Sequence, residues 1–200
     1  MINKYINNNS RHTLIMLHGS GGNEIEMLQL GKRINPHFNI LSIRGNVNEG
    51  GMNRFFKRFG IGLYDLDSYV SETTNLNNTI IKYSKQYDFD LEKSFVIGFS
   101  NGANIALGLI QEYPDLLNKY ILLSPDYINK NKGFGNLTNI KILMSSSQVD
   151  PYTSYETILK LEKLLKEKGA SVSNFEVPGH VITNELLNKV QLFVKDNCGL

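Results

Sequence analysis

The sequence predicts an α/β fold in which helices cover both faces of a mostly parallel sheet. Short apolar runs alternate along the chain with longer segments whose apolar residues recur at helical spacing. Most of the apolar runs are continuous rather than alternating with polar residues, as is typical of strands buried on both faces. With 200 residues, of which 41% are hydrophobic, the chain is expected to form one domain spanning residues 1–200.

The individual elements follow from these patterns and from their capping residues. Asn23 and either Asp65 or Asp67 are expected to cap the first two helices, and Gly169 to end the fourth. The strands are expected at residues 2–6 (an edge strand), 13–17, 38–43, 94–97, 120–123, 140–144 and 172–177. The helices are expected at residues 24–34, from 66 or 68 to 87, and at 100–112, 153–168 and 181–195. One long stretch, residues 44–63, contains five glycines and is expected to be an irregular loop.

Composition argues against several classes of function. The formal net charge of +2 is too small a bias to indicate a nucleic-acid or membrane partner. The single cysteine, Cys198, cannot form an intrachain disulfide. The segment Met1–Arg11 has no apolar run that would indicate a signal peptide, so we expect a cytoplasmic protein. Four dispersed histidines and one cysteine give no metal-binding cluster, so we expect no metal site.

The strongest chemical signal is the segment Gly98–Gly102, which reads GFSNG and fits the pattern G-x-S-x-G. It directly follows one predicted strand and opens the next predicted helix, which is the context of a nucleophile elbow. Such a turn needs glycines so that helix and strand approach closely, and it places the serine hydroxyl at a helix N-terminus. The pattern therefore predicts Ser100 as a catalytic nucleophile, with an ordinary strand-to-helix turn as the alternative.

A serine nucleophile requires a base, and in this kind of site the order along the chain is serine, acid, histidine. His180 is the one histidine after Ser100, and it follows the last predicted strand. Asp150 and Asp126 are the candidates for the acid, whereas Asp115 is expected to cap a helical turn. We favour Asp150 because its loop precedes the histidine loop by one strand. Asp126, which follows an earlier strand, is the alternative.

The oxyanion of an ester-hydrolysis intermediate needs two backbone N–H donors. Asn101, the residue after the nucleophile, is expected to supply one. The glycine-rich loop His18–Gly22, after the first buried strand, is expected to supply the other through Ser20. A phosphate-binding loop is the alternative for this turn, but neither GxxxxGK[ST] nor GxGxxG occurs in the sequence.

Five further features of the sequence carry a resemblance to a known family. They are the segments Arg44–Val47, Gly51–Arg58, Gly98–Asn104, Leu123–Pro125 and Asp150–Pro151. With the span from Leu17 to His180, they resemble the small bacterial phospholipase/carboxylesterase family of α/β-hydrolases, and look closest to its branch associated with hydroquinone and quinone stress. Ser147 departs from this family, which usually has glycine three residues before the acid.

The resemblance implies an α/β-hydrolase fold and a carboxylic-ester hydrolase that needs no metal or cofactor. It implies Ser100, Asp150 and His180 as the triad. The segment 125–139 is too short for the lid domain of true lipases, so we expect an open site that takes small or soluble esters. The stretch 44–63 is then the best candidate to shape the pocket. The candidate pocket residues in that stretch are Arg54, Phe55, Phe56 and Phe59.

Two interpretations of the aromatic residues in residues 44–63 are equally supported. They line an acyl or aryl site, or they pin this stretch to the core. For the whole chain, the leading hypothesis is a serine carboxylesterase that acts on a small-molecule ester. The alternatives are a lysophospholipase or acyl-protein thioesterase, and a non-catalytic α/β-hydrolase-like binding protein. A homodimer is compatible with all of them.

Overall fold

The computed structural model describes residues 1–199 of the chain. The strands are β1 (Asn3–Ile6), β2 (Thr13–Leu17), β3 (Asn39–Ile43), β4 (Val47–Glu49), β5 (Met52–Arg54), β6 (Arg58–Gly60), β7 (Leu63–Tyr64), β8 (Ser94–Phe99), β9 (Lys119–Leu123), β10 (Lys141–Ser146) and β11 (Ser171–Glu176). The helices are α1 (Glu24–Ile34), α2 (Leu66–Tyr87), α3 (Asn101–Glu112), α4 (Tyr155–Glu167) and α5 (Asn184–Asn197). Strands and helices alternate as the sequence predicts.

A central sheet of seven strands organises the fold, in the spatial order β1-β3-β2-β8-β9-β10-β11. The edge strand β1 pairs antiparallel with β3, and every other neighbouring pair is parallel. Because parallel strands end at the same edge of a sheet, the loops that follow β2, β8, β9, β10 and β11 meet at one edge. The predicted mostly parallel sheet is therefore confirmed, and its carboxyl edge is the place to look for a site.

Helices cover both faces of this sheet. On one face α2, α3 and α4 bury side chains such as Leu76, Ile105 and Leu161 against it. On the other face α1 and α5 do the same with Met27 and Val190. Burial on both sides explains why the strands read as continuous apolar runs. Within residues 1–199, every helix is too short or too polar to span a membrane.

Side-chain caps fix the helix ends, largely as predicted. Asn23 caps α1, and Asp65 rather than Asp67 caps α2 by accepting the Ser68 N–H. Gly169, with φ of +97°, follows α4 in the left-handed conformation. The last helix differs, since it begins at Asn184 and not at residue 181. The Thr183 hydroxyl caps it there, so the preceding residues stay in the loop that carries the histidine.

Residues 44–63 are not an irregular loop, and this expectation from the sequence was wrong. β4 pairs with β5 and β6 pairs with β7, each pair antiparallel; we call residues 47–64 the double hairpin. Gly50 and Gly51 turn the first hairpin, and Gly62 turns the second, all with positive φ. Strands of two or three residues are too short to show a period-two pattern, which is why the sequence does not predict them.

Candidate active site

Ser100 lies at the sharp turn between β8 and α3. Its backbone has φ of +52° and ψ of −116°, a conformation that residues other than glycine rarely adopt. The Ser100 N–H donates to the Leu123 carbonyl oxygen at 2.9 Å, which holds the turn against the end of β9. The strained turn places Ser100 in the wall of a cavity at the carboxyl edge of the sheet.

Two glycines allow this turn to form. A β-carbon at Gly98 would lie 2.3 Å from the Gly102 carbonyl oxygen, and one at Gly102 would lie 2.2 Å from the Leu17 carbonyl oxygen. Both distances are far below van der Waals contact, and in each case the obstructing atom is backbone. Glycine is therefore required at both positions for strand, turn and helix to pack together.

His180 and Asp150 form a hydrogen-bonded pair between the loops that follow β11 and β10. The imidazole Nδ1 lies 2.7 Å from Asp150 Oδ2, and the two side chains are 14% and 6% exposed. The second carboxylate oxygen, Oδ1, accepts the Tyr152 backbone N–H at 2.8 Å. With Nδ1 donating to the carboxylate, Nε2 of the neutral imidazole is the nitrogen that can accept a proton.

The turn before Asp150 forms without the expected glycine. Ser147 is buried, and its hydroxyl accepts the Val149 backbone N–H at 3.2 Å. This local hydrogen bond satisfies an N–H of the turn. The departure from the family pattern at residue 147 therefore does not displace the Asp150 carboxylate from the imidazole.

Two aromatic rings pack against the His180 imidazole. The Phe99 ring lies 5.1 Å away between centroids, and the Tyr152 ring contacts it edge-on at 4.7 Å. These contacts restrict rotation of the imidazole about its side-chain bonds. Together with the carboxylate they fix the orientation of the imidazole ring.

The cavity has a volume of about 280 Å³. Five residues that the sequence predicted for the site line it: Ser20, Arg54, Ser100, Asn101 and His180. They come from loops that follow different strands, as expected for a site at the carboxyl edge of a parallel sheet. A cavity of this size is at the small end of ligand sites, so it suits a compact substrate.

Ser20 and Asn101, the two residues predicted to supply backbone N–H donors, both line this cavity with Ser100. Ser20 belongs to the loop after β2, and Asn101 is the first residue of α3. Within residues 1–199, neither backbone N–H has a hydrogen-bond acceptor. The Asn101 side chain is anchored separately, since its Oδ1 accepts the Phe55 N–H at 2.7 Å. The arrangement leaves two donors available for an oxygen that carries negative charge.

Comparison with known proteins places the chain in a family. A model of the phospholipase/carboxylesterase family matches residues 5–198. The chain belongs to this family. It is 32% identical over 193 residues to MhqD of Bacillus subtilis (strain 168), a protein described as a hydrolase, with 96% of each chain covered.

Two further proteins similar to this chain agree with its assignment to the phospholipase/carboxylesterase family. The crystal structure of a Bacillus cereus carboxylesterase matches with a TM-score of 0.93 and 30% identity, and covers 98% of this chain and 93% of that one. Acyl-protein thioesterase 1 of Candida albicans is 24% identical over 215 residues, covering 94% of this chain and 92% of its own. The hydrolase thus has an α/β-hydrolase fold within a carboxylesterase and phospholipase family.

The three predicted pocket phenylalanines of this hydrolase do not line the cavity. Phe55 and Phe56 are fully buried in the core, where Phe56 packs edge-on against Tyr69 at 5.0 Å. Phe59 is 79% exposed at the start of the second hairpin. For Phe55 and Phe56 the structure therefore fits the alternative interpretation, in which they pin the double hairpin to the core. Arg54 does line the cavity.

Asp126, the alternative acid, lies elsewhere in the same cavity. Its carboxylate accepts the Tyr127 N–H at 2.8 Å, and within residues 1–199 the imidazole of His180 is paired with Asp150 instead. Burial raises the pKa of Asp126 above its usual value, with a smaller contribution from the charge of Asp150, while Tyr64 and the Tyr127 N–H oppose the shift. The carboxylate is half-buried, and its hydrogen bonds do not include the imidazole.

Several cavity residues were not predicted from the sequence. Arg58 and Tyr64 come from the second hairpin, and Tyr152 comes from the loop after β10. Tyr152 is two residues from Asp150, which is a signal that sequence reasoning could have used. Arg58 lies in the stretch 44–63 that was expected to shape the pocket, but neither it nor Tyr64 was singled out, because the hairpin that presents them was not predicted. Among residues 1–199 no group of three His, Cys, Asp or Glu side chains could hold a metal ion.

His18 fixes the loop that carries Ser20. It is 1% exposed, its Nδ1 donates to the Gly19 carbonyl oxygen at 2.7 Å, and its Nε2 accepts the Gly45 N–H at 3.0 Å. The second hydrogen bond requires a neutral imidazole, since a protonated Nε2 has no lone pair. Burial lowers the pKa of His18. The Gly19 carbonyl and nearby glutamates act in the opposite direction, but their effect is smaller, so the pKa is below its ordinary value.

Replacement of His18 by glutamine should remove part of the pH dependence of stability. Below the ordinary histidine pKa the unfolded chain binds a proton at this residue that the folded chain does not. The free energy of unfolding therefore decreases as the pH falls. We expect the contribution of His18 to lower the free energy of unfolding of the wild type by up to about 1.4 kcal/mol per pH unit below about pH 6.5. Urea unfolding of wild type and His18→Gln between about pH 7.5 and 5 measures the difference. A stability difference that stays constant with pH would contradict the neutral-imidazole assignment.

Proposed function

We propose that this hydrolase is a serine carboxylesterase that acts on short-chain or aryl carboxylic esters through an acyl-enzyme intermediate. The observation that carries the proposal is the 2.7 Å pair between His180 Nδ1 and Asp150 Oδ2, with His180 and Ser100 lining one cavity. This is the set of groups that nucleophilic catalysis by serine requires. Membership of a carboxylesterase family supports the same reaction class.

In the first half-reaction Ser100 Oγ attacks the ester carbonyl carbon. His180 Nε2 accepts the hydroxyl proton as the new C–O bond forms, and the carbonyl π electrons move onto oxygen. When the intermediate collapses, the bond to the leaving alcohol breaks and the imidazolium gives that alcohol its proton. Asp150 orients the imidazole and stabilises its positive charge, without itself taking the proton.

In the second half-reaction water replaces the alcohol. His180 Nε2 removes a proton from water, which attacks the acyl carbon, and Ser100 leaves with that proton returned. In both halves the negative oxygen is bound by the backbone N–H groups of Ser20 and Asn101. The N-terminus of α3 adds a favourable field at this point. No cofactor or metal ion takes part in these steps.

The size and polarity of the cavity support small esters as substrates. Its volume is about 280 Å³, and its walls include the charged side chains of Arg54, Arg58 and Asp126. A long acyl chain needs extended apolar cover, worth roughly 0.8 kcal/mol per buried methylene. The cavity offers little of that cover, so short acyl groups and aryl leaving groups suit it better.

A second candidate function is hydrolysis of a protein or lipid thioester or long-chain ester. It is favoured by the similarity to acyl-protein thioesterase 1 of Candida albicans. The chemistry at Ser100 would be the same, and only the acyl group and its carrier would differ. Substrate length therefore separates the two candidates.

Substitution of Ser100 by alanine should abolish ester hydrolysis while the fold remains intact. Without the nucleophile the turnover number should fall by about 10⁴-fold or more. A fluorophosphonate probe should label the wild type and leave Ser100→Ala unlabelled. Labelling at another serine, or no labelling of a folded wild type, would favour a non-catalytic binding protein.

The two candidate acids should respond differently to amide substitution. Asp150→Asn removes the charge beside the imidazole and disturbs its tautomer, so kcat should fall by as much as about 10⁴-fold. Asp126→Asn makes the same change of charge at a site that does not contact the imidazole, and should cost less than about tenfold. Steady-state kinetics with 4-nitrophenyl acetate makes the comparison. The opposite order of effects would assign the acid to Asp126.

Activity should be highest for short acyl groups. We expect kcat/KM for 4-nitrophenyl esters to be greatest between acetyl and roughly hexanoyl chains, because longer chains leave methylenes in water. The measurement is a series of straight-chain esters at one pH and below the micelle concentration. A value that continues to rise beyond octanoyl would instead support the lysophospholipase or thioesterase candidate.

A further inference from the structure

We propose that the cavity selects esters that carry a second, negatively charged carboxylate group, which Arg58 and Arg54 bind. The inference rests on the proposed esterase function and names its substrate class. It covers half-esters of short dicarboxylic acids and esters of carboxylated alcohols or phenols, because both present the same group to the same two guanidinium side chains.

Arg54 is a buried cation in the wall of the candidate active site. It is 2% exposed, and its described hydrogen bonds go to the Ser20 hydroxyl and the Phe56 carbonyl oxygen. Both partners are neutral, so they satisfy donors without balancing the charge. Burial lowers the pKa of Arg54, and the charge of Arg58 acts in the same direction. A guanidinium nevertheless stays protonated in proteins, so the cavity wall keeps this positive charge.

One carboxylate serves both arginines. Glu49 Oε2 lies 3.5 Å from Arg54 Nε and 3.4 Å from Arg58 Nε. Its other oxygen accepts the Arg58 backbone N–H at 2.9 Å. Arg54 and Arg58 line the cavity, whereas Glu49 is not among the residues that line it. Two guanidinium groups share this one counter-charge, so the excess positive charge of the cavity is on the arginine side, while Asp126 places a negative charge elsewhere in the same lining.

Asp126 is the negative group of the same cavity, and Tyr64 lies close to it and to the arginines. Burial and then Asp126 raise the pKa of Tyr64 to about 12, while Arg54 and Arg58 act in the opposite direction. The Tyr64 hydroxyl therefore stays protonated at neutral pH and is a neutral donor. Its proton is directed to the Asp126 carboxylate, so the attraction of this cavity for a second carboxylate rests on the two guanidinium groups.

Geometry limits how far the charged group lies from the ester. The guanidinium of Arg54 contacts the Ser20 hydroxyl, and Ser20 is the proposed donor to the ester oxygen. A carboxylate on the guanidinium groups is therefore separated from the reacting carbonyl by only a short spacer. Planar guanidinium groups bind carboxylates through paired N–H···O bonds, and the low local polarity of a small cavity strengthens such bonds.

The test compares two pairs of esters that differ only in a carboxylate or its neutral amide. One pair is monoethyl succinate and ethyl succinamate, and the other is 3-carboxyphenyl acetate and 3-carbamoylphenyl acetate. For the wild type we expect kcat/KM to favour the carboxylate member of at least one pair by about tenfold or more. Raising the ionic strength should reduce that preference, because salt screens the attraction.

Variants of the double hairpin identify the residue responsible. Arg58→Gln should bring the ratio of kcat/KM for the carboxylate ester to kcat/KM for its amide counterpart close to one. Arg58→Lys should retain part of the preference for the carboxylate ester. Lys57→Gln is the matched control, because it removes the same charge from an exposed neighbour outside the cavity lining. The control should keep the wild-type ratio.

Three outcomes would overturn the inference. The wild type shows no preference in either pair, Arg58→Gln retains the full preference, or Lys57→Gln abolishes it. In those cases, hydrolysis of the ester bond in the two esters that carry a neutral amide would still support the proposed esterase function. Failure to hydrolyse any of the four esters, together with no fluorophosphonate labelling, would overturn the function and this inference together.

Discussion

The close contact between the start of α3 and the end of β2 is the constraint on which the candidate site depends. Only glycine at position 102 allows it, because a β-carbon there would collide with the Leu17 carbonyl oxygen. The contact brings the loop that carries Ser20 beside the first turn of the helix, at Asn101. Two N–H donors can bind one oxygen only when both lie within hydrogen-bond distance of it. His18 adds to the constraint by tying the same loop to Gly45.

Parallel pairing supplies the second requirement of the site. β10 and β11 are adjacent, with Ser146 opposite Glu176 at the ends of the strands. The loops that follow therefore start at the same height, and Asp150 and His180, 30 residues apart, meet at 2.7 Å. The sheet converts the order of elements along the chain into proximity of side chains. This is why an argument from strand order was able to favour Asp150 over Asp126 as the partner of the imidazole.

How much of the site is predictable from the sequence depends on whether a feature is local. The turn at Ser100 and the cap at Asn23 follow from neighbouring residues, and both were predicted. The burial of Phe55 and the exposure of Phe59 were not predicted. The sequence does not distinguish these two aromatic residues, because tertiary contacts bury one and leave the other exposed. The place of Arg58 in the cavity was not predicted either, because strands of two or three residues leave no periodic signal and their turns decide which side chains face the cavity.

The double hairpin is hydrogen-bonded to the loop His18–Gly22 through Asn53 and Arg54. Burying the guanidinium of Arg54 costs free energy of folding that its two neutral partners, and a carboxylate shared with Arg58, offset only in part. Such groups are concentrated at functional sites, where a ligand completes the compensation. Arg54 also holds the Ser20 hydroxyl, so a substrate group that binds the arginine acts on the residue proposed to bind the ester oxygen. Recognition of the remote group and stabilisation of the transition state are then coupled through a single side chain, which is how binding energy away from the reacting bond can raise the rate.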